Sequence, residues 1–346
     1  MSLIGQQYYD PGVDLRKLTN SGLDGVVKGL KDPFTEYLTP EEYRRQQDLY
    51  TGQHRGIIGI SVINQGGVSV IHAVLPNSPA QRAGLHQGDV LLEIGGKKVA
   101  GLNGAEVTDL IISSSGDSVK LTVERAGKQL ESVIKRQIFT TPTVQSTHLA
   151  HRVLYLRIYQ FGDSTSKEFD DQLRAGLPGS SGVILDLRGN GGGLVTAATS
   201  VISRFVDSGE ALETRGRSGV EKTEVSGDHP AALLPVVVLI DGDTASASEI
   251  VAGSLSVHHR AQLVGEKSFG KGSVQEDYPL AGGGDLHLTV EHWFLPDGRS
   301  VDHQGLKPDI EVPLSSTQPM FDVAEKGSDP AQDAQLSRAL ALVTGP

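Results

Sequence analysis

Gly182-Val-Ile-Leu-Asp-Leu-Arg-Gly-Asn-Gly-Gly-Gly-Leu194 runs a nearly unbroken aliphatic stretch into a glycine-rich turn. A strand apolar at almost every position must be covered on both faces, which belongs to a parallel sheet sandwiched by helices. A second such run, 235–241, is followed by Gly242-Asp-Thr-Ala-Ser-Ala-Ser248 and a helical pattern. Helices are expected over 166–177 (Phe169, Leu173 and Leu177 on one face), 194–206 and 246–257. From Val153 onward the chain therefore reads as repeated βα units, with further strands at 262–265 and 285–295. A Pro/Ser stretch at 313–319 precedes a last helix opened by Asp329-Pro330, with Leu336, Ala339, Leu340 and Val343 at helical spacing.

Upstream the pattern changes. Residues 55–139 carry short alternating strands at 58–63, 68–74, 90–94 and 119–124, with glycine pairs at 66–67 and 95–96. Ser78-Pro79 opens a short helix that stops at Gly84, and a second helix is expected over 104–113. Residues 1–50 are helical in pattern, broken by Pro33 and Pro40, with Thr39-Pro-Glu-Glu42 reading as an N-cap and an acidic first turn. Four segments result: a helical lead-in at 1–54, a compact mixed β domain at 55–139, an α/β core at 140–314, and a linker with a helix at 315–346.

Composition removes several function classes. The chain has 346 residues, enough for two or three domains, and its net charge is −11 without a basic run, which argues against nucleic acid as a partner. It has no cysteine, hence no disulfide, thiolate nucleophile or Cys-ligated zinc. No stretch approaches the ~20 apolar residues needed to cross a bilayer. The opening Met1-Ser-Leu3 lacks the succession of a signal peptide, and a longer precursor from which one has been removed is expected.

Both glycine- or serine-rich turns leave the carboxyl ends of buried strands, where the active sites of open α/β sheets form and helix N-termini direct unpaired N–H groups into a crevice. Ser246 and Ser248 fall in the first turn of the second helix, beside amides suited to an oxyanion. Ser246-x-x-Glu249 equally fits a capping box. A nucleophilic serine needs a base, and Lys267 and Lys271 lie downstream; either must be desolvated before its pKa falls far enough to serve.

Other patterns dissolve on inspection. Gly265-x-x-x-x-Gly270-Lys271 starts like a phosphate loop, but Gly272 stands where Ser or Thr must hold magnesium. Ser268-x-x-Lys271 lacks the partner motifs of β-lactamases, and Leu194 breaks a dinucleotide fingerprint. A Ser-His-Asp arrangement with His258, His259, His287 or His303 stays open, none in a distinctive context. His287 and His292, five apart on a strand, point to opposite faces and make a poor metal pair.

Taken together, Asp32-Pro-Phe-Thr-Glu-Tyr-Leu-Thr-Pro-Glu-Glu-Tyr43, Ser78-Pro-Ala-x-x-Ala-Gly-Leu-x-x-Gly-Asp89, Asp186-Leu-Arg-x-Asn-x-Gly-Gly193, Thr244-Ala-Ser-Ala-Ser-Glu-Ile250, Phe269-Gly-Lys-Gly-Ser-Val-Gln275, Pro296-Asp-Gly-Arg299 and Gly305-Leu-Lys-Pro-Asp309 resemble the C-terminal processing peptidases of family S41. The resemblance covers most of the chain. It implies an α/β multidomain fold, with a crotonase/ClpP-like peptidase core, an inserted PDZ domain and helical terminal segments. It implies Ser246 as nucleophile, Lys271 as general base and Gln275 as the residue that orients the lysine, while Ser248 and Lys267 drop out. Strand alternation puts 271, 273 and 275 on one face, in keeping with that role. Ala247 and either Gly193 or Gly192 are implied as oxyanion donors.

The PDZ domain is expected to add a substrate C-terminus as a strand beside Ile60–Val62. Its carboxylate would lie on the amides of Ile58, Gly59 and Ile60, against a helix wall offering Val107, Leu110 and Ile111. Substrates would be protein tails, with no metal or cofactor. The resemblance also implies an extracytoplasmic enzyme, a homodimer through the terminal helices, and coupling of tail binding to activation. Two other classes share parts of the pattern. A catalytically silent PDZ adaptor is opposed by the intact Ser246, Lys271 and Gln275, and an acyl-CoA enzyme is opposed by that pair and the PDZ-like region.

Overall fold

The computed structural model describes residues 2–345 except 11, 55–56, 66, 114–116, 226–230, 232, 315–319 and 325–326. The chain folds into two compact units, Met1–Gln47 together with Val144–Pro346, and Asp48–Thr143. The helical lead-in is thus shared out, its first 47 residues joining the C-terminal unit.

The larger unit is built on a six-stranded sheet with the order Val144–His148, Val153–Ile158, Gly182–Asp186, Val236–Ile240, Gln262–Gly265 and Ile310–Glu311. The first pair is antiparallel and the rest are parallel. Every residue of the three central strands is buried, as their unbroken aliphatic runs require. One face packs Leu154, Leu156, Leu185 and Val238 against Phe169, Leu173, Val201, Phe205, Ile250, Leu255 and Trp293. The other packs Tyr155, Ile184, Val237 and Leu239 against Phe321, Leu336, Ala339 and Val343. Full burial contributes about 1.5–3 kcal/mol for each large apolar side chain, so the two faces together dominate this unit's stability.

The C-terminal helix, Ala334–Thr344, is fastened to the sheet by buried charge as well as apolar contact. Arg188 Nη2 donates to Asp186 Oδ2 at 2.6 Å and to Asp333 Oδ2 at 2.8 Å, while Arg188 Nη1 donates to Gln335 Oε1 at 2.9 Å. Burial alone would raise the Asp186 pKa, but the guanidinium groups of Arg188 and Arg157 outweigh it and hold the carboxylate below its usual range. Asp333, not Asp329, caps this helix by accepting the Leu336 N–H at 2.9 Å. Pro330–Gln332 forms a separate 3₁₀ turn, because Asp329 accepts the Ala331 N–H instead.

A second, antiparallel sheet holds Glu36–Leu38, Asp285–Phe294, Glu210–Gly216 and Gly219–Glu224, with Ser273–Pro279 also paired to Asp285–Phe294. Strand order in the smaller unit is Ile60–Gln65, Val68–Val74, Val90–Ile94, Ser118–Arg125 and Lys128–Lys135, around helices Pro79–Arg82 and Gly104–Ser113. Ile71, Leu91, Val107, Leu121 and Val123 lie at the centre of its core. Gln53–His54 pairs with Phe139–Thr140, which carries this unit past the expected span of 55–139 at both ends.

Candidate active site

Strands Gly182–Asp186 and Val236–Ile240 are parallel neighbours, so the turns at their carboxyl ends meet. Thr244 Oγ1 donates to the Leu187 carbonyl at 3.0 Å, the Ala245 N–H reaches the Asn190 carbonyl at 3.1 Å, and Asp241 accepts the Gly189 N–H at 3.0 Å. These bonds clamp one turn on the other.

Ser246 sits where the second turn becomes the helix Ala247–Val257, with φ 54° and ψ −119°. A non-glycine residue held there is strained, and strain of this kind persists only where surrounding bonds over-determine it. Glu249 supplies the main restraint by accepting the Ser246 N–H at 2.9 Å. The serine is left half-buried, whereas Ser248 is fully buried and donates to the Asn190 carbonyl at 2.9 Å. Geometry therefore separates the two serines.

Glu249 reaches further than a cap. Its buried carboxylate also accepts Ser268 Oγ at 2.5 Å, the Gly270 N–H at 2.8 Å and the Lys271 N–H at 2.9 Å. One carboxylate thus holds the serine turn and the lysine loop together. Ser268 is consumed by this network, since its Oγ also accepts the Leu306 N–H at 2.6 Å, and Lys267 is exposed.

Lys271 is half-buried, and burial lowers its pKa against the opposing charges of Glu36 and Asp32. Its Nζ stands 5.0 Å from the Phe34 ring centroid, and no carboxylate pairs with it among the described residues. The lead-in segment 32–36 therefore forms part of the lysine's surroundings. Asp32 accepts the Phe34 N–H at 3.0 Å and Thr35 Oγ1 at 2.6 Å, and Thr35 Oγ1 accepts the Thr289 N–H at 3.0 Å. Among the described residues no hydrogen bond joins Lys271 Nζ to Ser246 Oγ. Catalytic contacts are commonly long before substrate binds.

Gln275 turns its Nε2 toward Ser273 Oγ at 2.8 Å and Thr289 Oγ1 at 3.0 Å, with no bond to Lys271 among the described residues. Simple alternation from 271 to 275 does not hold, because the strand begins at Ser273 and its register shifts between Val274 and Gln275.

The glycine turn lies directly against the serine. A Cβ on Gly192 would stand 2.8 Å from Ser246 Cβ and 2.9 Å from the Ala247 nitrogen, so only glycine fits, at φ 104°. The Gly192 N–H is committed to Asn190 Oδ1 at 2.9 Å, which removes it as a donor to substrate. Neither the Gly193 nor the Ala247 N–H has an acceptor among the described residues.

In the smaller unit, Ile60–Gln65 is an edge strand with one side unpaired. It starts two residues later than the alternation predicts because Gly59 adopts φ 83° and Ile58 is buried, its carbonyl accepting the Ala80 N–H at 2.9 Å. The N–H groups of Ile58 and Gly59 have no acceptor among the described residues. Ile60 and Val62 are half-buried, as is Leu110, while Val107 and Ile111 are core residues. Of the three helix positions, Leu110 is the one open to a ligand. Arg55 and Gly56, at the start of the loop, lie outside the described residues.

Comparison with known proteins agrees with this anatomy. The family model for peptidase family S41 matches residues 152–312, and that for the PDZ domain matches 70–125. A carboxy-terminal-processing protease of Bartonella bacilliformis is 33% identical over 96% of this chain and 84% of its own length. The carboxy-terminal processing protease CtpA of Bacillus subtilis is 32% identical over 90% of this chain and 67% of its own. Among solved structures, the photosystem II D1 C-terminal processing protease superposes with TM-score 0.58 at 26% identity, covering 89% of this chain and 85% of that one. An S41 protease structure from Bacteroides fragilis shares the fold with TM-score 0.68 at 17% identity, over 99% of this chain and 96% of its own.

Proposed function

Because the chain belongs to peptidase family S41, among carboxy-terminal processing proteases with a PDZ domain, we propose that it is a serine endopeptidase using Ser246 and Lys271 on protein C-terminal tails. The observation that carries this reading is the Glu249 carboxylate, which binds the backbone of both residues and so ties a strained, accessible serine to a desolvated lysine.

Neutral Lys271 takes the Ser246 proton as the hydroxyl attacks the peptide carbonyl, and the N–H groups of Ala247 and Gly193 hold the negative charge on its oxygen. Lysinium then protonates the leaving amine, and water activated by the same lysine releases the acyl group. Burial favours this cycle because it disfavours the charged amine, while the Phe34 ring offers the transient lysinium a weak cation–π partner. Gln275, its Nε2 held by Ser273 and Thr289, keeps its Oε1 to orient the lysine.

The PDZ domain captures the tail as an added strand on the free edge of Ile60–Gln65. The terminal carboxylate meets the N–H groups of Ile58, Gly59 and Ile60, and the terminal side chain meets Val62 and Leu110. The C-terminal helix spends its apolar face on its own sheet, so a homodimer would form through the N-terminal segment, where Leu3, Tyr8 and Tyr9 are exposed.

The test is mass spectrometry of a loosely folded protein with an apolar tail after incubation with wild type, Ser246→Ala, Lys271→Ala and Ser248→Ala. Cleavage by wild type and Ser248→Ala alone is expected. Tail binding without cleavage by wild type would overturn the catalytic assignment and leave an adaptor.

A further inference from the structure

Asp285 lies on the hairpin Ser273–Pro279 and Asp285–Phe294 and has no part in the chemistry above. It is fully buried, and neither carboxylate oxygen makes a hydrogen bond of good geometry among the described residues, the Tyr278 N–H being the donor that faces it. Gln46 Oε1 is a third buried oxygen without a partner, and its amide nitrogen stands 3.4 Å from His287 Nδ1. The Asp285 carboxylate and the Gln46 amide thus both lie near one histidine. Buried oxygens without donors are costly, and a cluster of them points to a cation.

The hairpin register explains the gathering. Asp277 is the cross-strand partner of His287, and Asp285 precedes His287 by two residues on the same face. Ligand atoms of Asp277, Asp285 and His287 lie within 4.8 Å of one another. Among the described residues no lysine or arginine pairs with either aspartate; the ion partner present is His287, whose Nδ1 is 2.6 Å from Asp277 Oδ1. Gln47 Nε2 donates to Asp277 Oδ2 at 3.2 Å from the helix Pro40–Tyr50.

We propose that Asp277, Asp285 and His287 form a binding site for a divalent transition-metal cation, with Zn²⁺ the best match and Gln47 supporting Asp277 through its hydrogen bond. Two carboxylates and one imidazole leave open positions for water and suit Zn²⁺ better than Ca²⁺ or Mg²⁺, which prefer oxygen throughout. The role is structural. The cation ties the two strands of the hairpin to each other beside Leu38, which pairs with Asp285, four residues before Thr289 of the Gln275–Thr289 pair. The site stands independently of the Ser246 and Lys271 assignment.

The experiment is calorimetric titration of the EDTA-treated full chain with ZnCl₂, repeated with CaCl₂ and MgCl₂, on wild type, Asp285→Asn, His287→Gln, Asp277→Asn and His303→Gln. Wild type and His303→Gln should bind one equivalent of Zn²⁺ that is weakened at least tenfold in the other three variants, and the melting temperature should rise with Zn²⁺ only where the site is intact. If Asp285→Asn does not fold, His287→Gln and Asp277→Asn carry the comparison. Indistinguishable titrations of wild type and these variants, or a loss that follows His303 beside Asp302, would overturn the proposal and leave Asp285 holding a proton.

Discussion

The two sheets that matter for function solve opposite problems. In the larger unit the strands Val153–Ile158, Gly182–Asp186 and Val236–Ile240 are covered on both faces and paired on both edges, so these three leave only the turns at their ends free to bind. In the smaller unit Ile60–Gln65 keeps one edge unpaired, beside a helix that presents half-buried Leu110. Strands buried on both faces and paired on both sides hold two turns rigidly enough to keep Ser246 strained. An open edge accepts any backbone that arrives extended, which suits capture of varied tails.

That contrast can be broken at defined points. The largest effect is expected from Glu249→Ala, which orphans four donors at once, two of them buried, and frees the serine turn from the lysine loop. Cleavage should fall by roughly 10³-fold or more, with tail binding by the PDZ unit intact in a fluorescence titration. A loss of tail binding as well would show that the two units do not act separately.

Arg188→Ala should lower the stability of the larger unit by roughly 3–5 kcal/mol, because it strands Asp186 and Asp333 without their guanidinium. Urea unfolding read at Trp293, the single tryptophan and buried in that unit, is the appropriate probe. An unchanged midpoint would remove the buried ion cluster from the account of how the sheet is held.

The pH dependence follows from Lys271. Its folded pKa lies below the ordinary 10.5 because burial outweighs Glu36 and Asp32, and the proposed mechanism uses the neutral amine. The log of kcat/KM should therefore rise with pH and level off at an inflection below 10.5. A rate that falls across that range would reject lysine as the base. In stability the sign is also fixed: a lysine with a depressed folded pKa destabilises the fold below that pKa, and the penalty is relieved as pH rises through it.

Smaller effects sharpen the other half. Leu110→Asp should weaken tail binding about tenfold, raising KM for tailed substrates with little change in kcat. Ser78→Ala should cost about 1 kcal/mol in the isolated-unit melting curve, since it removes the oxygen that accepts the Gln81 N–H at 3.0 Å at the head of Pro79–Arg82.

Legibility followed periodicity. The buried strands announced themselves through aliphatic runs, and the helix Gly104–Ser113 and the strands Val68–Val74 and Val90–Ile94 were readable to the residue, because one face of each is apolar and their ends carry caps or glycines. The strands Glu210–Gly216 and Gly219–Glu224 escaped notice. Gly219–Glu224 is largely exposed, with Val220 63% exposed, and Glu210–Gly216 buries only the adjacent pair Ala211 and Leu212, which sets no period. Lys128–Lys135 was missed for the same reason, one buried residue in eight being too few to establish a period. At the candidate site, Ser246-x-x-Glu249 was visible as a cap, but its reach to Ser268, Gly270 and Lys271 was not, since those residues come near only through the pairing of distant strands.

By itself the sequence determined the element types, the partition into a parallel α/β core and a mixed β domain, and the short set of residue types able to perform acyl transfer. Only the tertiary structure distinguished their surroundings. It buried Ser248 and left Ser246 half-buried, exposed Lys267 and desolvated Lys271, and spent the Gly192 N–H on Asn190 while giving that of Gly193 no acceptor among the described residues. It also brought Asp277, Asp285 and His287 to one face of a hairpin. The reason is physical: periodicity encodes which side of an element meets the core, whereas accessibility, desolvation and hydrogen-bond commitment depend on what the rest of the chain places opposite.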